Sequence, residues 1–466
     1  MKLYFNNAFS IIKEDQHYFL FEKKDQKKTT INEDMFHLLN EIQKLNGIDS
    51  DKYVEISSLI MELKEKNILT SISQLSCDNF FIKNYSVEML FIELSKKCNL
   101  KCQHCYNESL YSIKDTLTTA ELFKLIDQAK SLGIFKVQLT GGEPLLRKDI
   151  VDILEYLFKS GFSIKIFTNL TLLKNKHLAL IKKFHISIVT SLDFLTDKQH
   201  DTFRGKVGAF NTTLNSIKLL KEERVPVRVN SILDGKSNIE IEDFVNFLKQ
   251  ELTVDYLMDI IIPTGRADCV DIKEFYRLVE AYKVIAVDQQ TSSTQFTFEN
   301  ECNISKNCIY ANDCGIQKSF LFIDHLGNVG ICPSLRIDHS SMFCLGNILH
   351  TPLEKMCALM ETKKNDIECR HKKSCAFFKN CHGGCRSRAY HFSNGDINSV
   401  DPVMCNLFDI LEEHIDEVHK FRIPYNASFW FIRSQRIKYY SASIRAQYSN
   451  NCFNRAFSKF SLYTTN

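Results

Sequence analysis

The chain has no apolar run long enough to cross a bilayer. Its longest, Tyr256 to Ile262, is short and interrupted by Asp259, whereas a spanning helix needs about 18 apolar residues in a row. The N-terminal stretch MKLYFNNAFSIIKEDQ lacks the apolar core and small-residue cleavage site of a signal peptide, so the expected compartment is the cytoplasm. Also missing are an internal repeat and the biased compositions of collagen, coiled-coil rods or disordered chains. With 44% hydrophobic and 25% charged residues, the 466-residue chain is of ordinary globular make-up. A large net charge is absent too, although the +3 conceals an uneven distribution. After Glu417 there is no acidic residue, while Lys420, Arg422, Arg433, Arg436, Lys438, Arg445, Arg455 and Lys459 are all basic. Taking those eight from the 59 Lys and Arg leaves 51 against 56 Asp and Glu, a net of −5 for the rest. Bulk charge therefore argues against a nucleic-acid partner.

Cysteine, in contrast, is abundant, with 17 residues. In a reducing compartment that points to metal or redox chemistry rather than disulfides, and an odd count agrees.

Residues 1–75 read as a small module of their own. Short β-rich runs (Leu3–Phe5, Ser10–Ile12, Tyr18–Phe21) precede a helix opened by Asn32, with Met35, Leu38, Leu39, Ile42 and Leu45 at helical spacing and Asn46-Gly47 ending it. A second helix places Ile56, Leu59, Ile60 and Leu63 on one face. The pattern suggests a winged helix-turn-helix. From residue 88 to about 290, strands alternate with amphipathic helices. Strand-like runs fall at Met89–Leu94, Lys136–Thr140, Ile164–Phe167, Ile186–Ser191, Val227–Ile232 and Tyr256–Ile262. Thr118 with Glu121 three residues on is a capping-box signature, and further helices are expected to stop at Gly133 and Gly161. Six strands joined by crossover helices make an α/β fold with a parallel sheet, open or partly closed, whose ligands bind at the C-terminal strand ends. Residues 300–420 are cysteine-rich with weak periodicity, and residues 421–466 form the basic tail.

Just after the first strand, ELSKKCNLKCQHCYNES places Cys98, Cys102 and Cys105 as Cys-x3-Cys-x2-Cys. Three thiolates on one tight loop suit a 4Fe–4S cube with one iron left open, since four cysteines would close it. A zinc site would want a fourth ligand close by, and His104 is poorly placed for that. With Tyr106 following, this segment resembles the cluster loop of radical S-adenosylmethionine (SAM) enzymes. The resemblance implies a partial (β/α)6 barrel, SAM chelated at the open iron, and one-electron cleavage of its sulfonium to a 5′-deoxyadenosyl radical. Gly141-Gly142-Glu143 after the second strand resembles the family's GGE motif, in which Glu143 can pair with an ammonium. By the same resemblance Asn169, Ser191 and Asp193 end strands where polar groups of SAM bind, and Arg204 resembles an arginine that reaches the ligand carboxylate. Pro263-Thr264-Gly265-Arg266-Ala267 resembles a turn that shapes the adenine or substrate side.

Two further cysteine groups, Cys314-x12-Gly327-x4-Cys332 and Cys375-x5-Cys381-x3-Cys385 with Cys405 beyond, resemble the SPASM extension and its two auxiliary 4Fe–4S clusters. Lys372 stands where the family has a cysteine, and on this resemblance Cys369, six residues before Cys375, is expected to be the substitute ligand. Spacing leaves the pairing open. The resemblance implies Cys308, Cys314, Cys332 and Cys385 for one cluster and Cys369, Cys375, Cys381 and Cys405 for the other, with Cys302 a rival for Cys308. A zinc ribbon is the alternative for this region.

The N-terminal module resembles the PqqD-like leader-binding domain of peptide maturases, and the whole layout is similar to subtilosin-type sactipeptide maturases. That implies a cysteine-containing precursor peptide bound through its leader, a thioether from cysteine to an α-carbon, and an electron donor such as flavodoxin or ferredoxin. Epimerisation or carbon–carbon linkage of a peptide is an alternative, as is a haem, small-molecule or sulfatase substrate. A DNA-binding regulator would want a basic recognition helix, yet Glu41, Lys44, Glu55, Glu62, Lys64 and Glu65 are of mixed sign.

Overall fold

The computed structural model describes residues 2–113, 117–234, 241–267, 270–271, 319–335, 342–362, 367–393, 395–407 and 421–422. Cys269, Cys302, Cys308, Cys314, Cys452 and nearly all of the basic tail lie outside them. The chain divides into two units, Met1–Lys420 and Phe421–Asn466. The first unit carries every element that builds the sheet and its cavity.

The N-terminal part holds strands β1 (Lys2–Phe5), β2 (Phe9–Glu14), β3 (His17–Glu22) and β4 (Lys27–Ile31), helix α1 (Glu33–Lys44), β5 (Ile48–Asp49), helix α2 (Ser57–Glu65), β6 (Leu69–Thr70) and β7 (Phe80–Lys83). Asn32 caps α1 through its side chain, which accepts the Met35 N–H. Phe36, Leu39 and Ile42 turn inward, and Ile60 and Leu63 of α2 meet the same core. Leu45, expected on that face, is exposed because it is the residue at which the helix ends. Two small sheets result, ordered β5-β1-β6 and β4-β3-β2-β7. The β7 strand pairs in parallel with β2, far earlier in the chain, at the Ile11–Phe80 register.

All six strands expected in the barrel region are present: β8 (Met89–Glu93), β9 (Lys136–Thr140), β10 (Ser163–Phe167), β11 (Ser187–Ser191), β12 (Val227–Leu233) and β13 (Asp255–Ile260). They run parallel in sequential order. Between them lie α3 (Thr119–Ser131), α4 (Ile150–Lys159), α5 (Asn175–Lys183), α6 (Asp197–Arg204), α7 (Ala209–Glu222) and α8 (Ile241–Asn246). The Thr118/Glu121 capping box is formed at the start of α3. After the two-residue strand β14 (Val270–Asp271), the sheet gains three strands beyond β8: β15 (Phe320–Ile323), parallel to it, then antiparallel β16 (Asn328–Gly330) and β17 (Cys344–Asn347). The crossover helices cover the sheet, so β9, β10 and β11 are buried along almost their whole length.

The N-terminal module sits at the end of the sheet where the barrel strands begin. Phe21 meets Phe135, and Phe81 meets both Phe135 and Phe162, at centroid separations of 5.0, 6.1 and 5.6 Å. Ser10 donates to the Gly161 carbonyl and Gln26 to Ser163 Oγ, both buried. Lys83 bridges Glu14 and Glu88 at 2.6 and 2.7 Å. The opposite end of the sheet is left for ligands. Among the described residues, no helix is long and apolar enough to cross a membrane.

Candidate active site

The cysteine loop leaves the C-terminal end of β8 and is held by backbone bonds on both sides. Lys101 N–H donates to Arg204 O and Gln103 N–H to Phe203 O, at 3.1 and 2.9 Å. Arg266 spans it from above, with Nε on Cys102 O at 2.7 Å and Nη1 on Ser109 O at 3.0 Å. The Arg266 N–H donates to Cys105 O. Cys98 and Cys102 are buried, and Cys105 packs against them with Leu100 and Ala209. Burial pushes the Cys98 thiol up to about 12, partly offset by the Leu100 N–H on its sulfur. Burial also raises the Cys102 thiol, and the Arg204 guanidinium opposes it from 3.8 Å. Even with Arg204 beside Cys102, burial keeps both thiols raised; iron would supply the further positive charge that favours thiolates.

The turn after β9 explains its glycines. Gly141 adopts φ +144°, and a Cβ there would lie 2.2 Å from Ser95 O. A Cβ on Gly142 would meet Lys97 O at 2.2 Å and Cys98 Cβ at 2.9 Å. The turn is thus pressed against the cysteine loop, with Gly142 N–H on Ser95 O and Glu143 N–H on Lys97 O.

Cys98, Cys102, Cys105, Tyr106, Gly141, Gly142, Asn169, Ser191 and Arg204 line one cavity of about 310 Å3 at the C-terminal strand ends. Glu143 and Asp193 stand behind that wall rather than in it. Glu143 is wholly buried and accepts from Thr168 Oγ1 at 2.7 Å, Leu145 N–H at 3.0 Å and Asn169 N–H at 2.7 Å. Burial raises its carboxyl pKa and the three donors counter the rise. Asp193 grips Arg204 through Oδ2, at 2.7 Å from Nε and 2.6 Å from Nη2, and accepts the Ile232 N–H on Oδ1. Burial alone would raise the Asp193 carboxyl, but Arg204, His104, His200 and the Ile232 N–H together outweigh it and the net shift is downward. His104 stacks on Phe203 at 4.4 Å, and burial, aided by Arg204, lowers it to about 3, so the ring is neutral.

Residues singled out less clearly in the sequence also line the cavity, among them Asn230, Asp259 and Arg266. Asp259 stands near the C-terminal end of β13, the signal that could have found it, whereas Asn230 lies midway along β12. Buried Asn230 Oδ1 and His104 Nδ1 make no hydrogen bond, which suits a cavity that receives a polar cofactor. The three thiols, the bare glycine backbone and these orphaned atoms fit a 4Fe–4S cube with SAM. Among the described residues, no three His, Cys, Asp or Glu side chains converge as ligands of a single metal ion do.

A second, smaller cavity of about 20 Å3 lies in the cysteine-rich region. Cys369, Cys375, Cys381 and Cys405 all line it. Lys372 points elsewhere and pairs with Glu368 at 2.6 Å. Burial, with Cys385 nearby acting in the same direction, raises the Cys332 thiol to about 12. Cys357 is buried in an apolar helix face, and Cys77 and Cys344 are half-buried.

Residues 92–249 match the Radical SAM superfamily. The chain is 28% identical over 347 residues to the AdoMet-dependent heme synthase of Methanosarcina barkeri, covering 66% of this chain and 94% of that protein. It is 28% identical over 327 residues to the antilisterial bacteriocin subtilosin biosynthesis protein AlbA of Bacillus subtilis, covering 65% of this chain and 69% of AlbA. In fold it is similar to Streptococcus suis SuiB bound to precursor peptide SuiA, with a TM-score of 0.56, 18% identity, and 87% of this chain matched to 100% of SuiB.

Proposed function

We propose, from the premise that the chain belongs to the radical SAM superfamily, that this enzyme modifies a ribosomally made precursor peptide by joining a cysteine thiol to an α-carbon. One observation carries the choice of a peptide. The likeness to SuiB takes in 87% of the chain, far beyond residues 92–249, and AlbA, a bacteriocin biosynthesis protein, is among the relatives. The N-terminal module, read as a winged helix-turn-helix, would take the leader along an open strand edge. Among the described residues β4 closes one side of its sheet and is largely exposed, so it offers such an edge.

Cys98, Cys102 and Cys105 would hold the catalytic cluster. Cys308, Cys314, Cys332 and Cys385 would hold one auxiliary cluster, and Cys369, Cys375, Cys381 and Cys405 the other. When bound, the clusters and SAM supply the adenosyl radical and a path for the surplus electron, with flavodoxin or ferredoxin as donor. The chain's own residues bind, orient and exclude water. Gly141 and Gly142 offer unobstructed backbone, and Tyr106, Asn169, Ser191 and Arg204 present polar groups to SAM. Glu143 and Asp193 act one step back, the first fixing Thr168 and Asn169, the second aiming Arg204. Phe167, Val189 and Ile260 to Ile262 give the cavity an apolar wall that disfavours water near a radical.

The likeness to the heme synthase supports a second reading, a tetrapyrrole substrate. The deciding experiment is anaerobic incubation of reconstituted enzyme, carrying about twelve irons on three cubes, with a cysteine-bearing precursor peptide and SAM. Mass spectrometry is expected to find the loss of two hydrogens per cross-link. Deuterium uptake without a mass deficit would mean epimerisation, and an unaltered peptide beside a consumed tetrapyrrole would favour the second reading.

A further inference from the structure

One wall of the reaction cavity carries none of the residues proposed above to present polar groups to SAM. Those residues come from β8 to β11 and α6, whereas Asp259 stands on β13, at the far edge of the sheet. It lines the cavity beside Ser334 of the cysteine-rich region, with its side chain 42% exposed. Its Oδ1 accepts Arg388 Nη1 at 2.7 Å.

Arg388 is buried and holds a second carboxylate. Its Nε lies 3.1 and 3.0 Å from the two oxygens of Asp401, and Nη2 is 3.0 Å from Oδ2. Asp401 is buried too, lines the four-cysteine cavity and accepts the Cys385 N–H at 2.7 Å. The Arg388 N–H in turn points at Cys385 Sγ, 3.5 Å away. A continuous carboxylate–guanidinium–carboxylate chain therefore runs from the reaction cavity to the cysteine-rich region.

Its charge does not cancel. One guanidinium faces two carboxylates, and Asp401 is sealed from solvent, so the surplus negative charge is presented at Asp259. The guanidinium grips Asp401 with its fork and reaches Asp259 with one hydrogen bond, to Oδ1, which also accepts the Ile260 N–H at 2.8 Å. Oδ1 is thereby held, and Oδ2 is the acceptor left for a donor entering the cavity. An ionised carboxylate accepts and does not donate, and an extended peptide carries a row of N–H donors.

We propose that Asp259 is a substrate-binding residue that accepts a main-chain N–H of the precursor peptide, and that Arg388 is the positioning residue that ties this contact to the Cys385 loop. The inference rests on the peptide reading above.

The test uses full-length reconstituted enzyme, precursor peptide and SAM under anaerobic conditions, with iron content checked for each variant. Asp259→Asn keeps the shape and one oxygen for Arg388, and is expected to raise the peptide KM about 10- to 100-fold, with little change in SAM affinity. Arg388→Lys keeps the charge but loses the fork. It is expected to raise KM in the same direction, and the double variant to be little worse than Asp259→Asn alone. Arg388→Gln, which strands Asp401, should be worse than Arg388→Lys and lose iron. An unchanged peptide KM in Asp259→Asn overturns the inference while the peptide reading stands, and so does a loss of SAM affinity with peptide KM intact. A wild-type enzyme that leaves the peptide unmodified removes the peptide reading, and this inference with it.

Discussion

Arg266 carries a role that its place in the sequence did not announce. Its guanidinium joins Cys102 O to Ser109 O, and its own N–H holds Cys105 O. The preceding Gly265, at φ +62°, lets the turn lie so close that a Cβ would come within 2.4 Å of Cys105 O. Arg266→Gln should loosen the loop without touching a thiol. Charge-assisted hydrogen bonds of this kind contribute about 1.5–3 kcal/mol each, so peptide-independent cleavage of SAM is expected to fall about 10-fold or more, with a broadened electron paramagnetic resonance signal from the reduced cluster. Unaltered cleavage and an unaltered signal would mean that the arginine is only a surface strap. That the cysteine triplet gathers at one place was legible, because the three thiols lie close together just after the first strand. The hydrogen-bond partners of Glu143 and Asp193 were not. A carboxylate aimed at a ligand and one aimed at its own backbone read alike, since Thr168, Leu145 and Asn169 reach Glu143 only once β9 and β10 are side by side.

Helices and strands with strong local signals were legible for the same reason that they form: β-branched runs between turn residues, and a cap such as Thr118. Long-range pairings were not, and β7 on β2 or β15 on β8 has no local trace. The seam that β7 creates between module and barrel traps Lys23, which is 3% exposed with its Nζ on Asn79 Oδ1 at 2.8 Å. Burial lowers Lys23 to about 7, and repulsion from Lys130 acts in the same direction while Cys77 opposes it. An unfolded lysine titrates near 10.4, so between roughly pH 7 and 10.4 the unfolded chain holds a proton that the folded one has shed. Stability therefore rises with pH through that window, by up to about 1.4 kcal/mol per unit from this group, and is lowest below pH 7. Lys130, lowered to about 8 mainly by burial and restrained by Asp78, adds a slope of the same sign from higher pH. Anaerobic thermal unfolding at pH 7 and pH 8.5 should show the midpoint climbing in the native enzyme. Lys23→Met should reduce the climb, and an identical slope in both proteins would sink this account.

Across the whole molecule, the N-terminal module and the cavity lie at opposite ends of the same sheet. The module meets Phe135, Gly161 and Ser163 where β9 and β10 begin, while Gly141, Asn169 and Ser191 stand where β9, β10 and β11 finish. Strands of five residues at about 3.3 Å each separate the two ends by roughly 16 Å. If, as proposed, the module holds the leader, the peptide must feed a spacer around the barrel before any residue can reach the cysteine loop. Extended chain covers at most about 3.3–3.6 Å per residue, so some five residues are the minimum, and a path around the barrel needs more. Precursor peptides shortened stepwise between leader and first modified residue should keep their affinity, measured by fluorescence anisotropy, while mass spectrometry finds modification lost once fewer than about five spacer residues remain. The modified position should move along the peptide rather than towards the leader as residues are removed. Full modification of a peptide with no spacer would mean that the leader binds beside the cavity, and that the module on the far side of the sheet has another task.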